Sequence, residues 1–509
     1  MSVGPRSLTE LVASADRTTT VVEFVSSDGR LVTTTGELAD RSRRVASGLL
    51  ALGVEAGDRI TVQISNRAEA VVLQLAALRV GAVLTPVVPV FGPRELSLVL
   101  DDAKPRVLVT ERRWNKFDYL AQLGEIDPNL LPEHVVVVGG GSDDHVDWAQ
   151  LEQAEPLEHA VEVDEAAPCL VIFTSGSSGA PKGVQHSRAT LWAEVVDFDY
   201  RPHADSSRDV YLQGSAAGHI GGYMFTLRAL HYDMRTIVLD GWDAAAACRI
   251  VGDEKVTAMV ATPFHVVQML EIAEQQSLDL SSLDMMMAGG APVSAALVRR
   301  ADRLGVGLVR AYGMSEHPTF AIGRWSDPLD VRAEHDGYIT GANEVRLVDD
   351  DGKPVAGVPG EIQVRGPEQF LGYTNAPDVF TDDGWFATGD IGVLDGDLLT
   401  VVDRKKNIII RGGENLSATE IENVVATHPS VLEVAVIGVP DDRYGERACA
   451  FVVLHPGTSI DLEGVRQHFV DSGVAKQKTP EFLEIVDDLP RSGTGKIRKH
   501  ELFRLRAGL

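Results

Sequence analysis

The sequence predicts an α/β protein of more than one domain: a large N-terminal domain of α/β subdomains with a β-rich part, then a small α+β C-terminal domain. Three observations carry that expectation. The chain has 509 residues, too many for one ordinary hydrophobic core. Strand-type and helix-type apolar patterns alternate along most of it. A charged break, DRKKN at 403–407, then interrupts an apolar context and leaves about 100 residues beyond it, a normal domain size.

The elements follow in order. Thr34-x-x-Glu37 is spaced for a capping box ahead of a helix carrying Leu38, Val45, Leu49 and Leu52, and Gly53 fits its C-terminal stop. Strand-like runs at 60–64, 83–87 and 107–110 are separated by helix-length segments such as 68–78. The alternation continues with strands at 170–173, 256–261 and 308–311. From 343 to 402 the pattern changes to the short β-type runs EVRLV, GEIQVRG and LLTVVD, broken by Gly and Asp turns. Beyond the break, Ser417-x-x-Glu420 is spaced to cap a helix, 434–439 and 450–454 read as strands, and 462–470 reads as a helix. The boundary therefore falls between a domain over 1–403 and one over 404–509.

Composition excludes several classes of function. With 74 acidic against 47 basic residues and a net charge of −27, bulk binding to DNA, RNA or anionic membrane is disfavoured. The N-terminus lacks an apolar core of signal-peptide length, and no run of 18 or more apolar residues occurs, so a cytoplasmic protein without stable membrane insertion is expected. Cys169, Cys248 and Cys449 lie far apart in apolar or alanine-rich surroundings and read as buried, reduced thiols. The histidines show no metal-ligand spacing, so a metal, if bound, is expected on oxygen ligands.

Against that acidic background several stretches suit phosphate and nucleotide. FTSGSSGAPKG at 173–183 combines bare backbone, hydroxyl donors and one lysine, Lys182, although Gly183 stands where a P-loop requires Ser or Thr. AYGMSEHP at 311–318 follows a strand and presents Tyr312, able to stack on a base, and Glu316, a hard oxygen ligand for magnesium. MAGGAP at 287–292 leaves a strand without side-chain bulk, so a flat ligand can approach its backbone. WFATGD at 385–390 places Asp390 after a tight turn, where it could accept hydrogen bonds from ribose hydroxyls. PRSGTGKIRKHEL at 490–502 delivers Lys496 on a Gly-Thr-Gly loop beside Arg491, Arg498 and Lys499.

The ordered set FTSGSSGAPKG, AYGMSEH, ATGD, DRKKNIIIRGGENLSATEIE and RSGTGKIRK resembles the adenylate-forming superfamily of acyl-CoA synthetases, carrier-linked adenylation domains and beetle luciferases. The resemblance spans nearly the whole chain. It implies the fold of those enzymes, with a mobile C-terminal domain, and an ATP-dependent ligase using Mg2+ and CoA: a carboxylate attacks the α-phosphate to give acyl-adenylate and pyrophosphate, then a thiol displaces AMP. It implies that Thr174, Ser175, Gly176, Ser177, Ser178, Gly179 and Lys182 cradle the β- and γ-phosphates, and that Thr174 and Glu316 hold magnesium. Tyr312, Gly313, Met314 and Ser315 with Gly290, Ala291 and Pro292 would hold adenine and its nucleotide, Asp390 and Arg404 the ribose. Lys496 would bridge the reacting carboxylate and α-phosphate.

By the same resemblance Lys406 is the domain hinge, and Gly412, Gly413, Glu414, Tyr444 and Lys478 meet CoA. Two positions depart from the pattern: Asn407 stands where many relatives have Asp, and Glu481 follows Pro480 where relatives often carry a basic residue, with Lys476 and Lys478 nearby as substitutes. The acyl pocket is expected around His219, Ile220, Gly221, Gly222, Met224, Thr262 and Phe264, with His219 a gate near the carboxylate or a packed core histidine. Small and apolar residues there point to a medium-chain, cyclic or aromatic acid. A stand-alone enzyme loading a carrier protein and a silent nucleotide-binding protein stay open as alternatives, as does a homodimer. Lys496→Ala is expected to slow adenylation about 100-fold or more while sparing thioester formation from supplied acyl-adenylate; equal loss in both half-reactions overturns the assignment.

Overall fold

Two sheets organise the chain up to Arg404, and a third organises the rest. The computed structural model describes residues 5–140, 144–174, 181–197, 202–203, 208–376, 379–411, 414–441, 443–472, 474, 476–491 and 497–507. The architecture is mixed α/β, with a large N-terminal and a small C-terminal domain.

The first sheet has seven strands, parallel except where Lys182–Ser187 pairs antiparallel with Pro168–Thr174. The second has fourteen strands and two characters. Val21–Ser26, Arg235–Leu239, Val210–Gln213, Ala258–Ala261, Met285–Ala288 and Leu308–Met314 run parallel. From Leu308–Met314 onward the order continues antiparallel through His317–Ile322, Gly337–Ile339, Leu398–Arg404, Phe386–Asp395, Gly360–Arg365 and Glu344–Val348. The β-rich stretch expected from 343 to 402 is thus the antiparallel half of a sheet it shares with the α/β part.

Local signals set the helices. Thr34 and Glu37 form the reciprocal capping box, with Glu37 N–H donating to Thr34 Oγ1 at 3.2 Å and Thr34 N–H to Glu37 Oε2 at 2.9 Å, and helix Thr35–Ala51 stops before Gly53 at φ +77°. Helix Ala68–Val80 is buried nearly throughout and mostly apolar, as expected of a helix between layers. One core joins it with Leu38, Val45 and Leu49, with Val107 and Val109 of the first sheet, and with Tyr211, Met287 and Val309 of the second. Cys169, Cys248 and Cys449 are buried free thiols, as the composition suggested.

Sheet membership changes between Arg404 and Ile408. Asp403 spans the change: its carboxylate accepts from Ser417 Oγ at 2.9 Å and Thr419 N–H at 2.8 Å, and from Asn407 Nδ2 at 3.3 Å. An amide at 407 can donate that last bond, whereas an aspartate would repel, which is the physical sense of Asn407. Ser417 also accepts from Glu420 N–H, capping helix Ala418–Ala426 as its spacing predicts. Among the described residues no helix is long and apolar enough to cross a membrane.

The segment AYGMSEHP differs from the expected strand followed by a loop. The strand continues to Met314, Ser315 and Glu316 form a two-residue turn, and His317 begins the return strand. Gly313 permits this, because a Cβ there would lie 1.9 Å from the Pro318 carbonyl oxygen. Gly313→Ala is therefore expected to cost about 2–4 kcal/mol, whereas Gly221, where a Cβ would meet nothing within 4 Å, should accept Ala at no loss; thermal unfolding of both variants checks the contrast.

Candidate functional site

Several of the sequence-predicted residues meet around the hairpin at Ser315 and Glu316. Tyr312 donates its hydroxyl to Asp390 Oδ2 at 2.5 Å and lies edge-on against Phe320 at 4.6 Å. Burial, then the Asp390 charge, holds the Tyr312 phenol well above its usual range, so it stays a donor. Asp390 is 4% exposed, and Arg404, its register partner on the next strand, approaches Oδ1 with Nε at 3.1 Å. Asp390 N–H donates to Thr388 Oγ1 at 3.1 Å, and Gly389, at φ +73°, bends the strand there.

Gly289 and Gly290 follow strand Met285–Ala288. A Cβ on Gly289 would come within 2.9 Å of the Ala311 carbonyl oxygen, so the turn of Gly290, Ala291 and Pro292 lies against the backbone just before Tyr312. Gly290, at φ +76°, has open space where a side chain would be.

Glu316 occupies the hairpin turn, and Tyr373 donates its hydroxyl to Glu316 Oε1 at 2.7 Å. Lys182 Nζ lies 4.8 Å from the Tyr373 ring centre, and Lys182 is the ladder partner of Thr174. Thr174, Lys182, Tyr373 and Glu316 thus form a continuous edge. Ser175, Gly176, Ser177, Ser178 and Gly179 lie outside the described residues. Behind the turn, buried His186 donates Nε2–H to the Ser315 carbonyl at 2.7 Å. Burial lowers its imidazole from 6.5 to about 4.

His219 precedes helix Ile220–Tyr232, with Ile220 and Gly221 in the first turn. Gly222 allows the turn to close on Ala216, whose carbonyl oxygen would be 2.1 Å from a Cβ. Thr262 caps helix Pro263–Gln276 together with His265, and Phe264 is half-exposed. Burial lowers the His219 imidazole, and burial reinforced by His219 lowers that of His265 to about 4. Trp242 lies 4.2 Å from the His265 ring, and its indole fills the space where a Cβ on Gly214 would stand. This corner presents neutral, ring-bearing and apolar groups.

In the smaller domain Tyr444 is surrounded by guanidinium groups: Arg411 at 4.6 Å, Arg447 at 5.1 Å and Arg443 at 5.2 Å from its ring centre. Glu481 binds Arg411 Nε at 2.5 Å and accepts from Ala448 N–H at 3.1 Å, so the acidic departure at 481 holds an arginine. Lys478 pairs with Glu420 at 2.5 Å, away from the Tyr444 cluster. Lys406 lies in the 3-10 turn Lys405–Asn407, and Glu414 begins strand Glu414–Ser417. Gly412, Gly413 and Lys496 lie outside the described residues.

Sequence reasoning missed Tyr373, His186, Trp242, His265 and the three arginines. Tyr373 is 57 residues from Glu316, and nothing in the local string GYTN marks it as a partner. Trp242 is brought in by a strand end rather than by a motif.

Residues 11–374 match the family model described as AMP-binding enzyme, and residues 420–496 match its C-terminal domain. The chain is 32% identical over 472 residues to a medium-chain fatty-acid–CoA ligase of Escherichia coli, covering 89% of this chain and 82% of that protein. It is 34% identical over 480 residues to an indoleacetate–CoA ligase of Aromatoleum aromaticum, covering 92% of each. The crystal structure of ATP-bound MatB from Rhodopseudomonas palustris superposes with a TM-score of 0.85 at 26% identity, over 97% of this chain and 98% of that one.

His186 also makes a pH prediction. The folded protein keeps this imidazole neutral between about 4 and 6.5, where the unfolded chain binds the proton, so stability falls as pH drops through that window. His186→Gln is expected to make the acid limb of thermal stability shallower by about one proton; an unchanged limb shows that His186 titrates normally.

Proposed function

The chain belongs to the AMP-binding enzymes, and we infer from its site that it activates an uncharged, apolar carboxylic acid. It is an acyl-CoA ligase, AMP-forming and dependent on ATP, CoA and Mg2+. The observation that carries the site reading is the convergence of Tyr312, Glu316, Tyr373, Asp390 and Arg404, four separate stretches of sequence, on one hairpin and its flanking strands.

In this reading Asp390, buried and already accepting from Tyr312, takes the ribose hydroxyls, with Arg404 pairing with its Oδ1 and holding it in place. Adenine lies between Tyr312 and the bare backbone at Gly290, Ala291 and Pro292, whose open φ-positive turn leaves room for a flat ring. Gly313, Met314 and Ser315 hold the adjoining nucleotide backbone. Thr174 and Lys182 meet the phosphates. Glu316 and Thr174 fit magnesium: both are hard oxygen donors, and Tyr373 occupies Oε1 of Glu316 so that the carboxylate keeps one orientation. Magnesium, when bound, screens the phosphate charge that would otherwise repel an incoming carboxylate. Lys496 neutralises the charge developing between that carboxylate and the α-phosphate.

The acyl chain is placed along His219, Ile220, Gly221, Thr262 and Phe264, with Trp242 and His265 completing the wall. Two imidazoles held neutral by burial supply no cation for a second carboxylate, and none of these residues is an acid to anchor an ammonium group. The thiol substrate would reach the smaller domain through Gly412, Gly413 and Glu414, with its nucleotide phosphates near Arg411, Arg443 and Arg447. Tyr444 then serves as the platform that orients those guanidinium groups. Free thiols suit a reducing compartment, and we place the enzyme in the cytoplasm.

ATP–pyrophosphate exchange across a panel of acids tests this. Medium-chain and aryl acids should support exchange at least about tenfold better, in kcat/KM, than amino acids or dicarboxylic acids. Preference for a charged acid would overturn the pocket reading, and acyl transfer to a carrier protein but not to CoA would overturn the acceptor.

A further inference from the structure

Behind the Glu316 turn three carboxyl groups meet that the mechanism above does not use. Glu194 and Asp197 come from helix Arg188–Asp197, and Glu368 follows strand Gly360–Arg365. Glu194 is 1% exposed and Glu368 0% exposed. The guanidinium of Arg228, on helix Ile220–Tyr232, pairs with Glu194, which also accepts from Thr319 Oγ1 at 2.9 Å. Asn343 ties the group together: its Nδ2 donates to Glu368 Oε1 and to Asp197 Oδ2, each at 3.1 Å, and its Oδ1 accepts from His317 Nε2 at 2.9 Å. His317, wholly buried, immediately follows Glu316 and lies 4.0 Å from Glu368 Oε2.

The packing is close. A Cβ on Gly366 would stand 2.0 Å from Asn343 Oδ1, and one on Gly341, at φ +47°, would stand 1.5 Å from Asp197 Oδ1. Arg228 pairs with Glu194, and the single Asn343 Nδ2 holds both Glu368 Oε1 and Asp197 Oδ2, so these two carboxyl groups lie side by side. Were Glu368 ionised as well, like charges would stand side by side on Asn343 where little water reaches them. One proton converts that repulsion into a short charge-assisted O–H···O⁻ bond.

We propose that Glu368 is a neutral carboxylic acid whose one O–H donates to the Asp197 carboxylate beside it and which, with Asn343 and His317, acts as a positioning residue for Glu316. The second half rests on the reading of Glu316 as a magnesium ligand. Burial first, then the charges of Glu194 and Asp197, push the Glu368 carboxyl far up, in the direction the geometry requires. Among the described residues the groups around it are Glu194, Asp197 and His317, with Arg228 beyond Glu194 and His186 beyond His317.

The full-length chain carrying E368Q or E368D tests both halves. Gln is uncharged and keeps a donor in place, whereas Asp keeps the acid but withdraws it by one methylene. E368Q should hold the Mg2+ concentration for half-maximal ATP–pyrophosphate exchange within about twofold of wild type, and E368D should raise it about fivefold or more. Without substrates, the wild-type thermal midpoint should fall more steeply than that of E368Q from about pH 6 to about pH 9. The folded protein there retains a proton that the unfolded chain has lost, so stability is lost as pH rises. Equal slopes, or an E368Q as impaired as E368D, overturn the neutral acid. An unchanged Mg2+ requirement in E368D overturns the positioning role. Should Glu316→Gln leave Mg2+ dependence untouched, the metal reading fails while the midpoint comparison still decides the proton.

Discussion

The strand Leu308–Met314 must serve the parallel and the antiparallel half of its sheet at once. Leu308, Val309 and Arg310 pair in parallel with Met286, Met287 and Ala288, whereas Ala311, Tyr312 and Met314 pair antiparallel with Ile322, Ala321 and His317. A parallel strand end is where an α/β fold presents ligand-facing loops. Here the strand does not stop at that point but turns back on itself through Ser315 and Glu316. The residues at the switch therefore have ladder hydrogen bonds behind them and open space ahead, and Gly313 is the position where the two geometries leave no room for a side chain. Three other members of the candidate site are placed relative to this hairpin: Asp390 by the Tyr312 hydroxyl, Tyr373 by the Glu316 carboxylate, and Gly289 by its close approach to Ala311.

Such a turn needs support from behind, because a two-residue loop offers few bonds of its own. His186 supplies one from the first sheet and His317 another from the return strand, and both imidazoles are kept neutral by burial, at about 4. Neutrality matters for the chemistry in front. On the proposed reading of Glu316, two fixed cations here would compete with magnesium for it, whereas neutral His186 holds the Ser315 carbonyl and neutral His317 holds the Asn343 side chain, leaving the carboxylate's charge available.

Local features were legible in the sequence to the extent that their cause was local. The capping pairs Thr34/Glu37 and Ser417/Glu420, the helix stop at Gly53 and the buried thiols depend on neighbours within a few residues, and all are found where the pattern placed them. Tyr312, Glu316 and Asp390 were legible as chemistry without their geometry, since their motif strings mark residue types and not partners. The tyrosine on Glu316, the His186 donor and the Glu368 cluster were not legible, because each joins segments that only the sheet order brings together. Glu481 shows the same limit in reverse: read along the chain it was a lost positive charge, and in the fold it holds Arg411 beside Tyr444.

The ladder that closes the antiparallel half also bears on movement between the domains. Arg404 is the last residue of its strand, paired in register with Asp390, and Lys405 is tied to Glu361 at 3.0 Å and Asp350 at 3.3 Å. Residues 404 and 405 are thus each held by a charge, immediately ahead of the proposed pivot, Lys406. A rotation there would leave the Asp390–Arg404 pair in place while carrying the Tyr444 cluster with the smaller domain. The pairing that binds ribose in the proposed mechanism would therefore also be the fixed end of the proposed hinge. Loss of the Arg404 pair would loosen the nucleotide site and the pivot together, since one guanidinium restrains both.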